Sequence, residues 1–115
     1  MKISEIIDNQ KKFDANHSST FKWDQQITQE NLESLEYILL CIVGELGETT
    51  NLVKKVLRGD CKLEDVRENI SEEVVDMFIY VIKLSYQLGF DIEECYLKKM
   101  ERNKIRFAKY EINTK

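Results

Sequence analysis

Apolar residues recur along this chain at alternating spacings of three and four, the period of a helix that buries one face. Between Thr28 and Leu57 the series is Leu32, Leu35, Leu39, Ile42, Leu46, Val53 and Val56, broken at Thr49. Thr28 is suited to cap the start of this helix and Arg58-Gly59-Asp60 to stop it. A second series, Leu63, Val66, Ile70, Val74, Met77, Val81 and Leu84, predicts a long helix over 63–88, widened by Phe78, Ile82 and Ser85 and ended by Gly89. Asp91 opens a capping-box-like start for a further helix to about Tyr110, with Ile92, Cys95, Tyr96, Met100 and Phe107 on its apolar side. Ahead of all three, Ser4 to about Asn16 predicts a shorter amphipathic helix, with Ile3, Ile6, Ile7 and Phe13 available for burial and Asp8, Lys11, Lys12 and Asp14 for solvent.

Composition agrees with this pattern. With no Pro and four Gly in 115 residues, the expected fold class is all-α, a four-helix-bundle-like core with an N-terminal helix, as one domain over 1–115. Short breaks between the later helices favour antiparallel neighbours. So short a bundle leaves apolar surface over, and a homodimer or homotetramer is expected. The net charge of −4 argues against an electrostatic grip on a nucleic-acid polymer. Cys41, Cys61 and Cys95 are odd in number and form no Cys-x-x-Cys pair, so neither a disulfide framework nor a structural zinc site is indicated. No signal-peptide-like start and no stretch approaching a membrane span is present in the sequence, and a cytoplasmic location is expected.

Two places break the apolar pattern. Glu45 with Glu48, and Glu73 with Asp76, each put two carboxylates three residues apart on one helical face inside otherwise apolar runs. Glu33 with Glu36, Asp65 with Glu68, and Asp91 with Glu94 share the spacing but lie in polar surroundings or at helix starts. On a helical wheel Glu45 falls at the edge of the packed face, near Thr49. Two explanations stand side by side: a site for a hard cation, Mg²⁺ or Mn²⁺, which oxygen ligands alone would select, or a charged rim paired with lysines such as Lys54 and Lys55. Gly44 and Gly47 weaken the helix beside these glutamates, and a closely packed neighbouring helix is the simplest reason.

Other candidates lie further out. Lys99, Asn103 and Arg106 follow four-and-three spacing on the last helix and form one face able to reach phosphates, while Lys98 and Arg102 read as solvated. Phe21 and Trp23 follow a polar break, either as a plug under a connecting loop or as a stacking surface for a base, with Tyr37 a further candidate wall.

Together these residues resemble the all-α nucleoside triphosphate pyrophosphohydrolases of the MazG type. The family's E-E-x-x-E signature followed by E-x-x-D reads here as Gly44-Glu45-Leu46-Gly47-Glu48 and then Glu73-Val74-Val75-Asp76, with 24 residues between Glu48 and Glu73. The likeness covers about Leu32 to Phe107. It implies Mg²⁺-dependent hydrolysis of a (d)NTP to the monophosphate and pyrophosphate by an oligomer. Glu45, Glu48, Glu73 and Asp76 would be the metal ligands and catalytic residues, and Lys99, Asn103 and Arg106 the phosphate contacts, with Trp23 a further substrate-binding candidate. Gly44 departs from the signature, which has a glutamate there. If that glutamate serves as base in relatives, this chain needs another route to activate water, and Glu72 is one candidate. A non-catalytic module that binds a nucleotide or a partner on the same fold is the alternative.

Overall fold

The structure, a computed structural model, describes residues 1–112. Its elements are α1 (Ile3–Asn16), α2 (Leu32–Leu57), α3 (Leu63–Leu88) and α4 (Ile92–Arg106), with short 3-10 turns at Gln29–Asn31 and Ala108–Tyr110. The fold is all-α, and no strand occurs among the described residues. None of these helices is long and apolar enough to cross a membrane.

Local chemistry sets the helix ends. Thr28 caps the 3-10 turn rather than α2 itself, its hydroxyl accepting from the Glu30 N–H at 3.3 Å, so the long helix begins four residues after the expected cap. Gly89 ends α3 with φ +78°, a left-handed conformation that a side chain would strain, and the Phe90 N–H closes back on the Ser85 carbonyl at 3.0 Å. Asp91 starts α4 by accepting from the Glu93 and Glu94 N–H groups. The last turn beyond Arg106 narrows to 3-10, which is why the α-helix stops short of Tyr110.

α3 is the centre of the molecule: α2 packs along it and α1 packs against its second half. On α2 the covered line is Ser34, Ile38, Cys41, Glu45, Thr49, Leu52 and Val56; on α3 it runs through Val66, Ile70, Glu73, Met77, Tyr80, Leu84 and Gln87. Both lines keep the three-and-four spacing. α3 retains Val66, Ile70, Met77 and Leu84 of the expected stripe and buries Ile82 and Ser85 beside them. On α2 only Leu35, Ile42 and Val56 of the expected stripe are covered, and the line is shifted by a residue toward Ile38. Leu32, Leu39, Leu46 and Val53, spaced by seven, are 39 to 53% exposed, and Val74 and Val81 also face outward. Each long helix carries more apolar positions than one neighbour can cover, and the surplus forms a second stripe. Glu45 accordingly lies within the packed line rather than at its edge.

α4 departs further from a closed bundle. Ile92 is half-buried, but Cys95, Tyr96, Met100 and Phe107 on its expected apolar side are exposed. The radius of gyration is 17.9 Å, against about 13 Å for a compact chain of this length. The Gly44 and Gly47 expectation is not met within one chain: a Cβ added at either would meet open space.

Candidate functional site: a carboxylate cluster beside a pocket

Helical spacing places Glu45 and Glu48 on one turn of α2, and Glu73 and Asp76 on one turn of α3, where the two helices pack. Carboxylate oxygens of Glu45, Glu73 and Asp76 lie within 4.8 Å of one another. Glu48 is exposed and lies outside that group of three, near enough to Glu73 for each to disturb the other's ionisation. Three of the four acidic residues singled out by their apolar context therefore gather, with Glu48 beside them.

The electrostatics are unbalanced. No Lys or Arg forms an ion pair with any of the four among the described residues, so Lys54 and Lys55 do not neutralise them. Glu45 Oε2 and Glu73 Oε2 are buried, and no hydroxyl, amide or cationic group among the described residues donates to either. The Glu73 carboxyl is held above its ordinary pKa, first by hydrogen bonding to Glu45, then by burial and the charges of Glu45 and Asp76, with the Glu48 contact pulling the other way. Glu48 is raised first by hydrogen bonding to Glu73 and next by its charge. Burial first, and neighbouring Cys41 next, push the Tyr80 phenol up to about 12, so it stays protonated at neutral pH. Stranded buried carboxylate oxygens, close together and without a cationic side chain, fit a hard divalent cation.

A pocket of about 360 Å³ opens next to the cluster, lined by Asn9, Gln10 and Phe13 of α1 and by Asp76, Tyr80 and Lys83 of α3. Phe21, Trp23 and Tyr37 form an aromatic group with ring centroids 4.6 to 5.8 Å apart, joined to the pocket wall where Trp23 lies 6.4 Å from Tyr80. The Trp23 carbonyl accepts from Gln87 Nε2, and the Ile27 N–H donates to the Gln87 carbonyl at 2.8 Å, which pins the connecting loop to α3. Phe21 and Trp23 thus pack beneath the connecting loop, and neither lines the pocket, although Trp23 touches Lys83 and Tyr80, which do.

Not every candidate converges. Lys99, Asn103 and Arg106 share a face of α4, but none lines the pocket, and Arg106 rests 5.0 Å from the Phe107 ring centroid. Glu72 is exposed and is not among the gathered groups, because it sits one residue off the covered line of α3. Sequence reasoning missed Gln10, Tyr80 and Lys83, and it exchanged two neighbours on α1: Asp14, expected in solvent, is 1% exposed, and Phe13, expected to be buried, is 56% exposed. The only local sign was a lysine inside the apolar run of α3.

Over an alignment of 82 residues the chain is 32% identical to the "Gene 37 protein" of Mycobacterium phage L5, a match that covers 67% of this chain and 72% of the phage protein. The chain belongs to the family of that phage protein. No family model matches it, and no solved structure does. The relative's description names no reaction, so the chemistry of this member rests on its own residues.

Proposed function

We propose that the chain is a Mg²⁺-dependent pyrophosphohydrolase of the MazG type that cleaves a (d)NTP to the monophosphate and pyrophosphate. The observation that carries this reading is the pair of buried oxygens with no donor, Glu45 Oε2 and Glu73 Oε2, where the carboxylates of Glu45, Glu73 and Asp76 gather beside Glu48. A solvated charged rim would turn those oxygens to water or to lysine.

Glu45, Glu48, Glu73 and Asp76 would hold Mg²⁺ or Mn²⁺. A divalent cation bound there supplies charge for the phosphate oxygens and lowers the pKa of a water molecule. The chain's own groups do the rest. The four carboxylates, which alone would repel a triphosphate, would hold the cation at the α2–α3 seam, and the pocket that starts at Asp76 would receive the base. Tyr80, protonated, serves as a donor and as a wall, and Trp23 limits entry of water from the loop side. Lys99, Asn103 and Arg106, which stand apart from the pocket within one chain, would reach triphosphate oxygens only from a neighbouring subunit of the assembled oligomer. The outward apolar stripe of α2 and the open shape of the single chain support assembly as a homodimer or homotetramer.

The test is pyrophosphate release from a panel of NTPs and dNTPs with Mg²⁺. Glu48→Gln is expected to lower the rate by about 100-fold or more, the scale of lost electrostatic stabilisation at a reacting centre. No release from any nucleotide rejects the reading. Gly44 favours one other: a module of the same fold that binds nucleotide without turnover, which predicts nucleotide-dependent thermal stabilisation with no product.

A further inference from the structure

The Lys83 side chain is only 8% exposed, and its ammonium meets Asp14 Oδ1 at 3.2 Å. The same ammonium lies 4.1 Å from the Trp23 ring centroid and 5.3 Å from that of Tyr80. Asp14 is 1% exposed; it also accepts from Gln10 Nε2 at 2.9 Å and from the Tyr86 hydroxyl. As a means of joining α1 to α3 this is costly, since well-packed apolar residues commonly do as well as a buried ion pair. Its position suggests another use.

Asp76 and Lys83 both line the pocket and lie seven residues apart, on one stripe of α3 and about 10 Å apart along the axis. A nucleotide whose phosphates sit at the carboxylate cluster directs the far edge of its base toward Lys83. Phe13 and Tyr80 supply apolar walls for the ring faces. An ammonium only donates hydrogen bonds. It satisfies a carbonyl at that edge and opposes an exocyclic amino group. Gln10 completes the pattern: its amide nitrogen is committed to Asp14, which leaves Oε1 to accept from a ring N–H.

We propose that Lys83, positioned by Asp14, selects nucleobases that present a carbonyl next to a ring N–H at the edge remote from the sugar, as uracil, thymine, guanine and hypoxanthine do, over cytosine and adenine. This deepens the nucleotide reading given above and rests on it. Asp14 is a positioning residue here, and Lys83 touches the base. A site built to hydrogen-bond one edge rejects the wrong edge because its buried groups are left unpaired.

The experiment measures binding separately from turnover. Affinities of α,β-imido triphosphates of deoxyuridine, deoxycytidine, deoxyguanosine and deoxyadenosine are compared by calorimetry with Mg²⁺, alongside hydrolysis of the natural nucleotides. The expected result is at least about tenfold tighter binding of uracil over cytosine and of guanine over adenine. The double variant Lys83→Met with Asp14→Asn, which strands no charge, is expected to bring both ratios within about twofold while Mg²⁺ still raises the melting temperature. Should that variant fail to fold, Gln10→Leu leaves the ion pair in place and is expected to shrink the ratios severalfold. Equal affinities, a preference for amino-bearing bases, or ratios unchanged in the folded variants overturn the proposal. Selective binding without hydrolysis would reject the hydrolase alone, and binding of no nucleotide would reject both.

Discussion

Glu73 is the residue on which the site turns. In metal-free protein its raised pKa makes ionisation unfavourable in the fold, so stability is greatest when the carboxyl is protonated and is lost as pH rises through the raised value. Glu73→Gln is therefore expected to raise the melting temperature in EDTA at pH 7, with the gain vanishing toward pH 4. With Mg²⁺ the order should reverse, the wild type being stabilised and the variant not. Thermal melts across pH with and without the metal check both halves, and stabilisation of the variant by Mg²⁺ to the wild-type extent would contradict them. The acidic residues were legible because carboxylates inside an apolar run are costly wherever they face a neighbouring helix. Lys83 and Asp14 were not, since their partnership depends on α1 folding onto the far half of α3.

Among the elements, α1 illustrates how one pair can hold a helix. Asp14 joins it to Lys83 and Tyr86 of α3, so Asp14→Ala leaves a buried ammonium without its carboxylate and should cost about 3–5 kcal/mol in denaturant unfolding. A loss below about 1 kcal/mol would mean that α1 is held by its apolar contacts instead. The extents of α1 and α3 were readable to within a residue, because Asn16 and Gly89 are placed where the pattern stops. Which stripe of α2 would face α3 was not, because Leu39 and Ile38 are equally apolar and periodicity alone does not choose between adjacent faces. α4 carries Lys99, Asn103 and Arg106 apart from the pocket. Replacing Lys99 and Arg106 by Gln is expected to raise KM for nucleotide severalfold with little change in kcat, a split that steady-state kinetics reads directly.

At the scale of the whole molecule, one chain exposes the Leu32, Leu39, Leu46 and Val53 row together with Leu40 and Val43, and it is more extended than its length requires. Leu39→Lys with Leu46→Lys should give a smaller species in light scattering than the wild type, and a wild type that is already monomeric would contradict the proposed assembly. The all-α class followed from helical periodicity and the absence of proline, whereas a partner's contribution lies beyond what a single chain's pattern reveals. The central claim is that the carboxylates of α2 and α3 serve water attack at the α-phosphorus of a nucleotide. Hydrolysis in ¹⁸O-labelled water with Mg²⁺ tests it most directly: the account predicts label in the nucleoside monophosphate and unlabelled pyrophosphate, while label in inorganic phosphate or pyrophosphate, or no turnover with any nucleotide, contradicts it.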